Sequence, residues 1–344
     1  MPGPDRNPGG YGICLLQPCP FLRRFHHLKA FRLHSFAGTL FLSYHSTDIL
    51  SKKNPAFYIL FSYFYRYSFF AALLAKCFGK KTYFTGGIDS LDSDYASAFN
   101  YKIQALFFKL CYWVADSCII VSQSDLKNIF KVSSLKKKLS YSEHVINTKL
   151  FIADVPKEKI FTSIVWMGDE GNVVRKGVDK ALQIFAELKK IPEFVDYRFV
   201  IIGRKGEGEV LVRSIIDKYN LKGSVELKGE VSEEDKINLL KQSKYYFQLS
   251  LYEGFGLAAL EALCANNIII HSGKGGLANP IYKEQLLFDI DNDFDSELLK
   301  LVNKLACFTP ITSYDNLLEY YDIQRRKDDF EAIIVNGKSN YKLK

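Results

Sequence analysis

Several features that would classify this sequence at sight are missing from it. Its seven cysteines are odd in number, with no Cys-x-x-Cys pair and no Cys/His framework. That argues against a disulfide-stapled secreted scaffold and against structural zinc. Met1 to Gly10 contains no apolar signal core, so a reducing, cytosolic location is expected. No internal repeat is visible, and nothing points to nucleic acid as a partner. The most apolar stretch, Ala56 to Phe78, approaches the ~20 residues a membrane span needs, but Arg66 sits in its middle. A central Arg costs roughly 2.5–3.5 kcal/mol on insertion scales. A helix over about 56–78, packed on a sheet or touching a membrane surface, is expected instead of a span.

The residues present are those of an ordinary folded protein, with 48% hydrophobic and 24% charged residues, neither disordered nor fibrous. A length of 344 residues accommodates two domains. Charge is unevenly spread: residues 1–150 carry a net +11 and residues 151–344 a net −3. A basic first half beside a near-neutral second half suggests domains with different partners, an anionic membrane or an anionic substrate for the first. A generally basic solvated surface is the alternative.

The first 45 residues hold five of the ten prolines and weak strand signals, at Tyr11–Leu16 and Thr39–Tyr44. After them strands and helices alternate. Strands are expected at Lys81–Phe84, Ser117–Val121 and Tyr141–Ile146, with a helix over about 95–114 and another from Ser124. The second half reads more clearly. Strands are expected at Thr162–Met167, Tyr197–Ile202, Ser224–Leu227, Tyr245–Ser250 and Asn267–His271, separated by helices. Such alternation implies parallel sheets in two doubly wound α/β domains. The pattern places residues 1–153 in one domain and 154–344 in the other, with a C-terminal helix returning to the first.

The most informative segment runs from Ser250 to Leu263 and contains Glu253-Gly254-Phe255-Gly256 and, eight residues on, Glu261. Two Glu at this spacing mean little alone; Glu226 and Glu234 share it without a Gly-x-Gly turn between them. Gly254 and Gly256 allow a sharp turn from strand into helix. The first helical N–H groups then face the crevice at the strand's carboxyl end, where open α/β sheets bind ligands and helix N-termini attract anions. Glu253 would lie in the turn and Glu261 inside the helix, reaching a second part of an extended ligand. The competing reading is a plain helix start with one solvated and one salt-bridged Glu.

Glu253 to Ala262 resembles the signature of the retaining glycosyltransferases of family 4, a strand followed by Glu-Gly-Phe-Gly-x-x-x-x-Glu-Ala. Other matches follow in family order: Ala115-Asp116 to Ser122, His144 to Phe151, Arg175-Lys176-Gly177-Val178-Asp179, Val200 to Gly203, and Leu227 to Gly229. The resemblance covers roughly residues 80–290. It implies the GT-B fold, two Rossmann-like domains facing each other across a cleft, and transfer of a sugar from a nucleotide-sugar donor to a hydroxyl acceptor with retention. It further implies that Lys176, with Arg175 or Arg204 beyond Gly203, neutralises the donor diphosphate. Glu261 would bind the nucleotide ribose. Glu253, with the amides of Gly254, Phe255 and Gly256, would hold the donor sugar. The departing phosphate is expected to take the acceptor's proton. The donor is a co-substrate, and no cofactor or metal is expected. A lipid-linked or saccharide acceptor, in polysaccharide or glycolipid synthesis, and a peripheral place on the inner face of the cytoplasmic membrane fit the basic first half.

The chain also departs from the family pattern. Gly168-Asp169 stands where Gly-Arg is usual, and Asn279 where a Glu usually follows the pair Gly275-Gly276. Gly86-Gly87-Ile88-Asp89 replaces an N-terminal-domain His, leaving Asp89 to orient an acceptor hydroxyl or to cap a turn. No glycine-rich loop follows the first strand. Three Asp-x-Asp pairs, Asp92/Asp94, Asp289/Asp291 and Asp291/Asp293, read as caps and a polar loop, not as a metal site. His271 ends a strand near the crevice and is a candidate donor contact. A degenerate nucleotide- or sugar-binding relative and a nucleotide-sugar epimerase are the alternative functions.

Overall fold

A computed structural model describes residues 32–36, 39–43, 57–61, 66–77, 79, 81–86, 91, 96–132, 137–152, 155–308 and 315–336. The chain divides into two compact units. The first takes residues up to Val121, Asp125–Glu143 and the chain from Arg326; the second takes Ser122–Ser124 and His144–Arg325.

In the first unit, β1 (Arg32–Phe36) and β2 (Thr39–Ser43) form an antiparallel hairpin with Phe36 opposite Thr39. A parallel sheet follows in the order β3 (Phe57–Phe61), β4 (Lys81–Thr85), β5 (Ser117–Ile120), β6 (Leu139–Tyr141). Its crossovers are α1 (Arg66–Cys77), α2 (Ala98–Val114) and α3 (Gln123–Val132). The expected helix over 56–78 is therefore two elements. The run Phe57-Tyr-Ile-Leu-Phe61 pairs along β4, and the helix starts only at Arg66. An unbroken apolar run fits a doubly covered parallel strand as well as a buried helix, and periodicity alone does not separate them. The strand expected at Tyr141–Ile146 instead ends at Tyr141. Beyond it the Ser142 hydroxyl donates to Asp329 at 3.0 Å, and Glu143 accepts from the Tyr141 hydroxyl at 2.5 Å. Asp116, just before β5, links that strand to β4 and α1, accepting from the Thr82 amide at 2.7 Å and pairing with Lys76 at 2.6 Å. The strand expected at Tyr11–Leu16 lies outside the described residues.

In the second unit six parallel strands lie in the order β9 (Val225–Gly229), β8 (Arg198–Ile202), β7 (Glu158–Ile164), β10 (Ser243–Gln248), β11 (Ile268–His271), β12 (Leu286–Leu287). The chain lays three strands to one side, then crosses back to continue on the other side of β7. The topological switch point of a doubly wound sheet falls between β7 and β10. On one face α5 (Val178–Leu188), α6 (Glu209–Lys218) and α9 (Phe294–Cys307) cover an aromatic core. Phe161 on β7 stacks there on Tyr245 and Phe247 of β10, with ring centroids 4.6 and 5.1 Å apart. On the other face lie α7 (Glu233–Gln242), α8 (Leu257–Cys264) and α10 (Asp315–Tyr320).

Residues 144–153, grouped above with the first domain, belong to the second unit. The Ile146 amide donates to the Tyr321 carbonyl at 3.0 Å, Thr148 bonds Asp322 at 3.1 Å, and Phe151 is buried against the α8 face. The last helix, α11 (Ile323–Asn336), passes into the first unit, where Ile333 packs with Tyr83 and Ile119.

Phe161 is fully buried and joins the two strands that flank the switch point. Phe161→Ala should destabilise the fold by about 3–5 kcal/mol, read as a lower urea midpoint in equilibrium unfolding.

Candidate active site

The carboxyl ends of β7 and β10 lie side by side, so the loops leaving them must share space. The loop after β7 leads into a short helix, α4 (Glu170–Arg175), and then to Lys176 and Gly177. Gly177 has φ of +68°, and a Cβ there would collide with the Leu249 carbonyl just beyond β10. Glycine alone permits this approach. The Leu251 amide fastens it by donating to the Arg175 carbonyl at 2.8 Å. The close crossing carries Lys176 to Glu253.

The two side chains make the central contact of the site. The Lys176 ammonium donates to both Glu253 carboxylate oxygens, at 3.0 and 2.8 Å, and each side chain is only 12% exposed. One oxygen also accepts from the Ser250 hydroxyl at 3.0 Å and the Gln248 amide at 3.3 Å. Gln248 itself donates to Ser250 at 2.9 Å and accepts from the Tyr246 hydroxyl at 3.1 Å. A relay running back along β10 therefore fixes the carboxylate, and satisfied partners of this kind make a buried charge tolerable.

The turn that carries Glu253 is clamped from outside. Gly275 has φ of +58° and lies where a Cβ would strike the Glu253 carbonyl, and the Gly276 amide donates to that same carbonyl at 2.5 Å. Gly256, at φ +87°, opens α8, whose first amides lie at the same end of the sheet. Phe255 points the other way, buried against the His144 ring at 5.4 Å and the Tyr321 ring at 6.2 Å. Its side chain anchors the turn, so only its backbone faces the site.

The remaining expected residues fall into four groups. Arg204 is exposed at the end of β8, and its carbonyl accepts from the Met167 amide at 2.9 Å, which ties this loop to the one after β7. Gly203 permits that contact, since a Cβ there would meet the Val165 carbonyl. The Arg175 guanidinium is held by Asn172, at 2.6 and 3.2 Å, and makes no contact with Glu253. Glu261 is engaged separately, with Lys236 of α7 at 2.9 Å. Burial pushes the Glu261 carboxyl upward, and Lys236 offsets part of that rise. In the first unit Gly86 ends β4 with φ of +126°, while Gly87 and Asp89 lie outside the described residues.

The departures from the family pattern have local structural roles. Asp169 caps α4, accepting from the Asn172 amide at 2.6 Å. Asn279 caps the next turn, accepting from the Ile281 amide at 3.1 Å. Asp293 caps α9, Asp289 accepts from the Asp291 amide at 3.1 Å, and Asp291 pairs with Lys274. Asp92 and Asp94 lie outside the described residues. His271 is 5% exposed, its ring 5.6 Å from that of Tyr282, which places it in the wall behind the turn. Sequence reasoning missed Gln248, Ser250 and Lys236. The alternation of β10 could have revealed Gln248, a polar residue on an inward position of an apolar strand. Lys236 resembles any lysine on an amphipathic helix, and nothing in the sequence ties it to Glu261.

Comparison with known proteins adds the following. Residues 171–305 match the family described as glycosyl transferases group 1. The GDP-mannose:cellobiosyl-diphosphopolyprenol alpha-mannosyltransferase of Xanthomonas oryzae pv. oryzae is 32% identical over 163 residues, 41% of this chain and 40% of the relative. The chain thus spans about half or less of the length of the curated relatives it matches. The sucrose-phosphate synthase structure from Thermosynechococcus elongatus aligns with a TM-score of 0.60 at 20% identity, over 82% of this chain and 71% of that one. Anabaena HepE, solved in complex with UDP, aligns with a TM-score of 0.64 at 12% identity, over 84% of this chain and 81% of that one. The fold is the GT-B fold expected from the sequence.

Burial drives the His271 imidazole down to about 4, opposed in part by the Tyr282 backbone. Because the unfolded ring binds its proton near 6.5, the unfolded state holds more protons between those values, and stability falls as pH drops through that window. The loss reaches about 3 kcal/mol near pH 4. An imidazole NMR titration, assigned by the signal lost in His271→Gln, should give a midpoint near 4; an ordinary midpoint contradicts the burial.

Proposed function

We propose, from the premise that residues 171–305 belong to the group 1 glycosyl transferases, that this protein moves a sugar from a nucleotide-sugar donor to a hydroxyl acceptor. The observation that carries the proposal is the Lys176–Glu253 contact, 2.8–3.0 Å, at the switch point beside the first amides of α8. Cleaving the bond between an anomeric carbon and a diphosphate leaves an anion at one end and a cationic sugar at the other. The site offers an ammonium and helix-terminal amides for the first, and a fixed carboxylate for the second.

Without a donor the ammonium and carboxylate neutralise each other. A donor diphosphate gives Lys176 a second anion, and Glu253, kept in place by Ser250 and Gln248, is left to accept from sugar hydroxyls and to favour positive charge at the anomeric carbon. Arg204, exposed on the neighbouring loop, supplies a further cation, with Arg175 directly before Lys176. Glu261 faces the nucleotide ribose. With positive charge provided by side chains and amides, the reaction is metal-independent. We read the transfer as proceeding with retention, the departing phosphate taking the acceptor's proton, on the resemblance of Glu253–Ala262 to the signature of the retaining family.

The proposed acceptor is a lipid-linked or saccharide intermediate. Support comes from the basic first half and from the similar mannosyltransferase, whose name specifies a diphosphopolyprenol substrate. The proposed setting is the cytoplasmic side of the membrane. No helix among the described residues is long and apolar enough to cross a membrane.

The test is release of nucleoside diphosphate from a panel of nucleotide sugars. Glu253→Ala and Lys176→Ala should each lower turnover about 10²–10³-fold, and a chelator should leave it unchanged. Equal release by all three proteins rejects the assignment. Donor binding without release by the unmodified protein converts it to a binding protein.

A further inference from the structure

A helix packed on a sheet normally buries its apolar side and shows water its polar side. The α2 helix of the first unit does only half of this. It buries Phe108, Cys111, Tyr112 and Val114. Outward it carries a second apolar line: Phe99 is 72% exposed, Leu106 57% and Trp113 70%. These three recur every seven residues, so successive members drift only about 20° around the axis and form one stripe. Beside it stand Lys102 and Lys109, also exposed, and the whole helix has no Asp or Glu. The neighbouring α1 helix repeats the pattern, with Phe70 62% and Leu74 53% exposed at one-turn spacing and again no acidic residue.

The surroundings keep the face positive. Asp116, just past α2, is paired with Lys76 at 2.6 Å. Lys138 donates to the carbonyls of Tyr112 and Trp113, at 3.2 and 2.9 Å, placing a cation at the tryptophan end. Exposed apolar area of this kind marks a binding surface, and its chemistry selects the occupant. Lysines flanking an apolar stripe match the phosphates and acyl boundary of an anionic bilayer, and tryptophan favours that boundary. At 17 residues α2 suits lying in the interface and is short of the ~20 needed to cross.

We propose that the α1–α2 face of the first unit docks on an anionic lipid surface. Phe99, Leu106 and Trp113 enter the boundary below the headgroups, and Lys102 and Lys109 meet lipid phosphates. The inference shares a membrane setting with the proposed function but stands on residues that the donor site does not use.

The experiment uses the full chain with Trp166→Phe, which leaves Trp113 as the single tryptophan reporter, since the sequence has two. Co-sedimentation and emission are followed with phosphatidylcholine vesicles and with vesicles in which a third of the lipid is phosphatidylglycerol. Binding and a blue shift are expected on the anionic vesicles only, weakening as salt rises. Lys102→Gln/Lys109→Gln should weaken the partition about 25-fold. Leu106→Ser/Trp113→Ser, followed by sedimentation alone, should abolish it, with thermal melts showing that both variants remain folded. No partition, equal partition onto neutral vesicles, or partition unchanged in the variants overturns the proposal. So does a dimer in equilibrium ultracentrifugation that Leu106→Ser dissociates, because the face would then belong to a second copy. Donor cleavage with a water-soluble acceptor should be the same in all these proteins. Its absence with vesicle binding intact would sink the donor-site reading and leave this one standing.

Discussion

The approach of Gly177 to the Leu249 carbonyl is the constraint on which the second unit's candidate site depends. The strand order places β7 beside β10, and that adjacency brings two chain segments more than seventy residues apart into van der Waals contact. Any side chain at position 177 would hold the segments apart, and Lys176 would then fall short of Glu253. The ion pair is the chemical consequence of a backbone crossing that a missing Cβ allows. The Gly275–Gly276 pair does the same from the other side by letting a third segment close on the Glu253 turn.

Pairing an ammonium with a carboxylate in a mostly dry site costs desolvation, and the attraction recovers it only when the remaining hydrogen-bonding capacity is filled. Here Ser250 and Gln248 fill it on the carboxylate side, while the ammonium, among the described residues, has Glu253 alone. The asymmetry has a chemical reading: the acid is held by the scaffold and the base is held by the acid. A second anion entering the site competes for Lys176 without dislodging Glu253. The Lys236–Glu261 pair is weighted differently. Burial works against the charge on Lys236, but Glu261 and Glu233 together override it and raise its pKa. A ribose hydroxyl reaching Glu261 would therefore join an ion pair and not replace one.

What the sequence made legible follows from how local each signal is. The turn from β10 into α8 is written within a dozen residues, and the glycines, the acid and the apolar strand before them all fall in one window. The Lys-Gly step is equally compact. The relay from Tyr246 through Gln248 and Ser250 to Glu253 was hidden because its members look like ordinary strand residues until the strand's facing is known. Lys236 was hidden more deeply, since its partner lies 25 residues away across two elements. The apolar stretch beginning at Ala56 was misread as one helix because a buried parallel strand and a buried helix share the same unbroken hydrophobicity. The compact units divide at His144, ten residues before the boundary expected from the sequence. That division follows contacts such as Ile146 with Tyr321, which the local sequence does not announce.

The charge difference between the halves also has a structural location. In the second unit few cations are committed at the switch point, and several lysines pair with neighbouring acids, as Lys190 does with Glu187 and Lys274 with Asp291. A net charge near zero there is compatible with a local anion site, because a handful of oriented donors in a low-dielectric pocket outweighs the average of the surface. The first unit reverses the arrangement. Its α1 and α2 helices carry lysines without any acidic residue of their own, beside an outward apolar stripe, so the excess charge is spread over a face. A concentrated site recognises one phosphate group by geometry, whereas a diffuse basic face recognises a plane of them by number. On the two proposals above, the sequence's charge imbalance would record two ways of meeting phosphate, one in each half of the chain.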